Sequence, residues 1–258
     1  MTIAGVLLLL YNYFFNRSMF YVRGFIKPLV IMSITSIFLA NSLEFWSLNY
    51  LVSFKASFLY NLAPFFAIFF SFHMLNERMR PQKWAGLLIG FAGFILILTR
   101  HEPFPEPRFF LFLSWPEITM IIATGCMAYG WTYMRSIMIQ GYSPLMANGV
   151  TMFFGGLLCF ILSYIAEPWN PIPVTKVWPF LGCLFGLIVI SNLIGYNWSA
   201  QLLKRYTSPF LLFGGFLAPL FTSFYGWLFL HETLYWQFFV AIIFVFLGVY
   251  LFYRNELQ

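Results

Sequence analysis

An ionisable side chain inside an apolar run is costly, on the order of +2.5 to +3.5 kcal/mol for Asp, Lys or Arg at the centre of a membrane span. The few that this sequence places there therefore come first. Glu44 stands in ANSLEFWSLNY, toward one end of an apolar run, on a helical face with Asn41 at i, i+3 and flanked by Phe45 and Trp46. A carboxylate in that position can act as counter-charge to a cationic group on a ligand, or as a proton-coupling site. It can equally be a structural lock, paired with Lys55 across a short turn. A second polar stretch, SNLIGYNWSAQ, sets Asn192 and Tyr196 at i, i+4, so amide and phenol share a face, with Ser199 one turn further. In a third run Tyr129, Trp131, Tyr133 and Arg135 cluster. Flat aromatic faces with a hydrogen-bonding tip suit a heterocycle or a cation. The alternative for all of these is interhelical glue and interface anchoring. Arg135 reads as a snorkelling interface charge, with a substrate carboxylate as the sharper alternative.

Two further positions concern backbone rather than side chains. Tyr60 and Asn61 precede Pro64, and Gly214-Gly215 precede Pro219. A proline inside a helix removes a hydrogen bond and kinks it, and helix breaks are where membrane carriers expose backbone polar groups. Asn61 is thus a candidate ligand contact, and Pro64, Pro219, Gly214 and Gly215 are candidate hinges, although packing through small residues explains the glycines as well. Enzymatic chemistry finds no support. His101-Glu102 and His231-Glu232 are isolated pairs without the second histidine of a metalloprotease helix. There is no Gly-Lys-Ser/Thr phosphate loop and no acidic cluster, so neither a metal nor a cofactor is expected.

The elements that must position these residues follow from composition. Of 258 residues, 61% are hydrophobic and only 9% charged, against about 25% charged in a soluble domain. Runs of about 20 apolar residues, long enough for a hydrocarbon core of about 30 Å, recur along the whole chain. The expected class is an all-α, multi-pass membrane protein with nine apolar spans, at 1–15, 28–48, 56–75, 84–99, 116–139, 144–166, 177–203, 208–230 and 233–253. Proline-rich loops at 100–115 and 167–176 separate some of them. The net charge of +6 then reports topology, and no nucleic-acid footprint accompanies it. Cys126, Cys159 and Cys183 all fall in apolar runs, as packing residues do.

The chain contains one hairpin twice. At a single offset of 155 residues Ser53 corresponds to Ser208, Ala63-Pro64 to Ala218-Pro219, Glu77 to Glu232 and Gly93 to Gly248. An internal repeat sets the architecture, and in a membrane chain it points to a carrier built from two related halves. Placing the loop after the first span in the cytoplasm puts ten of the 14 Lys and Arg on that side: Arg17, Arg23, Lys27, Arg78, Arg80, Lys83, Arg135, Lys204, Arg205 and Arg254. Lys55, Arg100, Arg108 and Lys176 fall on the other. By the positive-inside tendency the C-terminus is cytoplasmic. The first hairpin is preceded by two spans and the second by three. The expectation is therefore that Met1 is an internal methionine of a ten-span protein with both termini cytoplasmic; a genuine nine-span chain is the alternative. Two halves of five spans insert with opposite orientation. The turn at Glu77, Arg78 and Arg80 is basic and that at His231-Glu232-Thr233 carries no Lys or Arg, as inversion requires.

Those two copies, LAPFFAIFFSFHMLNERMRPQKWAGLLIGFAGFILIL and LAPLFTSFYGWLFLHETLYWQFFVAIIFVFLGVYLF, resemble the EamA-type repeat of the drug/metabolite transporter superfamily. Within that superfamily the chain is also similar, in texture more than in motif, to S-adenosylmethionine transporters of obligate intracellular bacteria. The resemblance implies ten helices in inverted five-helix repeats, here lacking the first, with a first repeat at 1–99, an external linker at 100–115 and a second repeat at 116–253. It implies a secondary transporter in a bacterial inner membrane, a monomer or homodimer, moving a small polar organic metabolite by alternating access. S-adenosylmethionine uptake or exchange is one alternative. A non-transporting lipid-handling or assembly protein is another, from a different class. On this reading Glu44, Asn41, Asn192, Tyr196, Tyr129, Trp131 and Asn61 are the candidate substrate contacts.

Overall fold

The computed structural model describes residues 1–15, 26–51, 53–98, 114–166, 174, 176–230 and 236–254. Every secondary-structure element among them is helical. We number the rods in chain order: α1, Thr2–Phe15; α2, Ile26–Leu48; α3, in two pieces at Ser53–Tyr60 and Ala63–Leu75; α4, Pro81–Leu98; α5, Trp115–Ile139; α6, Pro144–Ala166; α7, Val177–Leu202; α8, in pieces at Ser208–Phe213, Gly214–Leu217 and Ala218–Leu230; and α9, Trp236–Arg254. The stretches Ile26–Leu48, Ala56–Leu75, Pro144–Ala166 and Val177–Leu202 are each long and apolar enough to cross a bilayer, and shorter apolar helices accompany them. Large apolar side chains such as Phe14, Ile165 and Trp178 point outward, where hydrocarbon rather than water is their solvent. The protein is an all-α membrane protein.

The helices gather into two compact units, each drawing on two separate stretches of the chain. One comprises Met1–Ser42 and Tyr129–Arg205, the other Leu43–Ala128 and Tyr206–Gln258. In the first, α1 packs antiparallel on α6: a Cβ added to Gly156 would meet Thr2, one at Gly5 would meet the backbone of Phe153, and one at Gly149 would meet Leu9. Small residues at such a crossing let two backbones approach where the bilayer supplies no hydrophobic drive between helices. The core of this unit holds Ala4, Leu8, Ile37 and Met152.

In the second unit α4 crosses α9 through glycine. A Cβ at Gly86 would stand 2.7 Å from the Gly248 carbonyl oxygen, and one at Gly93 would stand 3.1 Å from that of Ala241. The two contacts are images of each other, because Gly86 corresponds to Ala241 and Gly93 to Gly248 at the 155-residue offset. The pairing runs antiparallel, so the repeated helices point in opposite directions. Phe213, Phe216, Leu220, Phe238 and Phe252 fill the core beside them, and the Lys83 ammonium lies 5.4 Å from the Phe252 ring centroid, a cation–π contact. Ser71 on α3 and Ser208 on α8 share a buried hydrogen bond of 3.1 Å. Asn76 ends α3 in the left-handed conformation, at φ 54°, which asparagine tolerates better than most residues.

Both copies also bend the helix at matching places. Within α3 the break falls between Tyr60 and Ala63, and Pro64 enters the first turn of the second piece, where its missing N–H costs nothing. Within α8 the tight stretch Gly214–Leu217 precedes Ala218. A further match lies in the preceding spans: α2 is π-helical over Ser33–Leu39 and α7 over Leu187–Gly195. At the same offset, 33–39 falls on 188–194. π-helices are rare and concentrate at functional sites.

Candidate functional site

A cavity opens in the first unit where the π-helical stretch of α2 and the turn that follows the one in α7 meet α5 and α6. It is lined by Met32, Ser36 and Ile37 of α2, Gly130, Trp131 and Met134 of α5, Asn148 and Thr151 of α6, and Tyr196 of α7, and is a narrow, partly open cleft. Gly130 is required where it stands, since a Cβ there would overlap the Cβ and Oγ of Ser36. Trp131 and Tyr196 stack, with ring centroids 5.4 Å apart and planes at 27°. Beside them runs a fixed polar chain. Asn148 donates through Nδ2 to Asn197 Oδ1 at 2.9 Å, and Asn197 donates through its own Nδ2 to the Leu193 carbonyl at 2.8 Å. Thr151 turns its hydroxyl back to the Ala147 carbonyl at 2.8 Å. The arrangement offers flat aromatic surface, oriented amides and little charge, which suits a neutral heteroaromatic group.

The sequence profile of the EamA-like transporter family matches residues 1–99 and 114–254. The chain belongs to the EamA-like transporter family. This EamA-like chain is 35% identical, over 260 residues, to the S-adenosylmethionine/S-adenosylhomocysteine transporters of Chlamydia muridarum (strain MoPn / Nigg) and of Chlamydia trachomatis serovar L2, covering 100% of itself and 82% and 80% of them. It is 25% identical over 243 residues to an uncharacterized transporter of Archaeoglobus fulgidus, covering 90% of this chain and 80% of that one. A solved crystal structure superposes with a TM-score of 0.74 at 18% identity, over 98% of this chain and 86% of that chain, a likeness of fold. The protein is a multi-pass membrane transporter.

Of the residues expected to contact substrate, this EamA-like transporter brings two together: Trp131 and Tyr196, from different helices, form the aromatic wall. Tyr129, two residues before Trp131, packs instead on Tyr133 at 5.7 Å. Asn192 is buried within the π-helical stretch of α7 and is not among the lining residues. Asn41 donates to the Ile37 carbonyl at 2.7 Å. The Arg135 guanidinium donates at 3.0 Å to the Leu203 carbonyl just past the end of α7, where a cation favours the negative end of the helix dipole. Glu44 and Asn61 belong to the other unit. Asn61 sits at the break in α3, donates to the Ser57 carbonyl at 2.8 Å and faces Gly215, whose added Cβ would lie 3.7 Å from Asn61 Oδ1. Glu44 is half-buried, and no hydrogen bond or ion pair engages it among the described residues. The Lys55 side chain, its conceived partner, lies outside the described residues, as do His101-Glu102, His231-Glu232 and the Pro219 side chain.

Ser36, Asn148, Thr151 and Asn197 are the polar groups the residue patterns did not single out. Asn148 left a signal, being an amide in an otherwise apolar run with Thr151 at i+3 (PLMANGVTMFF). A buried amide costs free energy unless it is hydrogen-bonded, so its presence there asks for a partner or a ligand.

Proposed function

We propose that this transporter carries S-adenosylmethionine, with S-adenosylhomocysteine as the counter-substrate, across a bacterial inner membrane by alternating access. The observation that carries the reading is identity of 35% along the entire chain with transporters named for those two compounds. The cavity supports it independently, since an adenine ring needs flat aromatic surface and a few oriented hydrogen-bonding groups, and Trp131, Tyr196 and Asn148 offer them. In this reading residues 1–99 and 116–253 are two inverted repeats joined at 100–115, and the C-terminus is cytoplasmic. A reporter active only in the cytoplasm, fused after Gln258, should therefore give signal. The decisive experiment is uptake of labelled S-adenosylmethionine into proteoliposomes preloaded with S-adenosylhomocysteine, with nucleosides and amino acids as competitors. Efficient competition by a free amino acid or nucleoside, with no uptake of either adenosyl compound, would replace this substrate by another small metabolite.

Glu44 has a role in this reading that the two substrates themselves can test. S-adenosylmethionine carries a sulfonium and S-adenosylhomocysteine a neutral thioether. A carboxylate with no partner among the described residues is a candidate counter-charge for the sulfonium. Glu44→Gln should lower uptake of the sulfonium compound about tenfold, the scale of one charge-assisted contact, and leave uptake of the thioether and the detergent-solubilised unfolding temperature near wild type. Equal loss of stability and of both fluxes would make Glu44 a structural lock.

A further inference from the structure

The Asn148–Asn197–Leu193 chain fixes which atom of Asn148 the cavity meets. A backbone carbonyl only accepts hydrogen bonds, so the NH₂ of Asn197 must face Leu193, at 2.8 Å. Asn197 Oδ1 is then turned to Asn148 and can only accept, which commits the NH₂ of Asn148 to it at 2.9 Å. What remains of the Asn148 amide is Oδ1, an acceptor with no hydrogen-bond partner among the described residues. Asn148 is 1% exposed and lines the cavity beside Trp131 and Tyr196. An acceptor whose orientation is locked from behind favours an occupant of the cavity that brings a donor, because an occupant without one would exclude water from it and offer nothing in return.

We propose that Asn148 is the specificity-determining residue for the heteroaromatic part of the substrate: its Oδ1 accepts a hydrogen bond from an exocyclic ring amine while the ring lies on Trp131 and Tyr196. The inference rests on the adenosyl reading above and deepens it, for adenine presents an amine at the position where hypoxanthine presents a carbonyl oxygen. Against Asn148 Oδ1 the amine makes a hydrogen bond, and the carbonyl sets one lone pair against another. Ser36, whose hydroxyl has no partner among the described residues and which Gly130 admits to the cavity wall, is free to serve a ring nitrogen as donor.

The test is competition against labelled S-adenosylmethionine in proteoliposomes, comparing S-adenosylhomocysteine with S-inosylhomocysteine, in which a carbonyl oxygen replaces the amine and N1 carries a hydrogen, and with the purine analogue in which hydrogen replaces the amine alone. Wild type should prefer the adenosyl compound to either by about 10- to 100-fold, the scale of one buried unsatisfied acceptor. Asn148→Leu should bring that ratio close to one, chiefly by weakening the adenosyl compound. Asn197→Leu keeps Asn148 but releases its amide to turn, and should also reduce the ratio; a merely structural role for Asn197 would lower both affinities together. Equal competition by the adenosyl compound and the purine analogue in wild type would overturn the proposal, whether or not any variant folds. So would an unchanged ratio in a folded Asn148→Leu protein. Either result would leave adenosyl transport itself intact, whereas wild type that takes up no adenosyl compound would overturn the substrate reading and this inference with it.

Discussion

Trp131→Ala should weaken the binding of S-adenosylhomocysteine by about 10- to 100-fold, since stacking of a base on an aromatic side chain is worth roughly 1–3 kcal/mol by alanine substitution. The loss arises because the indole supplies one face of the aromatic pair and its truncation leaves Tyr196 alone. The geometry adds a second expectation. The two rings stand 5.4 Å apart, and a planar ring held between them needs about 7 Å, twice a van der Waals contact of roughly 3.5 Å. A ligand that enters the stack therefore parts the rings, whereas one that lies on their cavity-facing edges does not. Trp131→Phe keeps a stacking face and should recover most of the affinity. Trp178, 84% exposed at the start of α7, is the control: its replacement by alanine should leave affinity unchanged. Isothermal titration or a ligand-induced shift in unfolding temperature reads all three. A wild-type affinity in Trp131→Ala would remove this cavity from substrate recognition.

Gly248→Val should destabilise the protein by about 3 kcal/mol or more, the upper range for forcing extra atoms into a packed contact. Here the obstacle is backbone. A Cβ at Gly248 would lie 2.5 Å from the Gly86 carbonyl oxygen, 2.7 Å from the Gly90 nitrogen and 2.9 Å from the Gly90 Cα. No rotamer change relieves that overlap, so α4 and α9 must separate, and with them the phenylalanine core that they enclose. Gly182 and Gly186 on α7 meet nothing within 4 Å of an added Cβ, and valine at either should be tolerated. Loss of monodisperse protein in Gly248→Val, with normal behaviour of Gly182→Val, is the expected pair of results by size-exclusion chromatography in detergent.

Much of this was legible in the residues. Apolar runs separated by prolines and charges located the helices, because the hydrocarbon core sets their length. The hairpin motif located its own copy, and Trp131 and Tyr196 stood out as amphipathic aromatics among phenylalanines. What stayed hidden has physical causes. A membrane helix is apolar all round, so hydrophobic period does not say which face meets which neighbour, and Tyr129 rather than Asn148 reads as a substrate contact. Asn148 signals itself only as an amide in an apolar run, and its orientation is settled by Asn197, 49 positions on. The π-helical stretches of α2 and α7 are invisible to composition, since π and α turns accept the same side chains. The Leu203 carbonyl that Arg135 engages has no signature in a sequence.

The glycine crossing of α4 and α9 also dictates an order of events during synthesis. Gly86 and Gly248 are 162 positions apart, so at about 5–20 residues per second the first waits roughly 8–30 s for the second. Throughout that interval the grooved side of α4 has no protein partner of its own, and only lipid or the insertion machinery can shield it. α1 waits in the same way for α6. Neither unit can close from one half of the chain: the ribosome must have passed α6 before the core of the first forms, and α9 before the core of the second. A translational pause or premature stop ahead of α9 would thus leave an inserted but open bundle, the kind of substrate on which membrane proteases act.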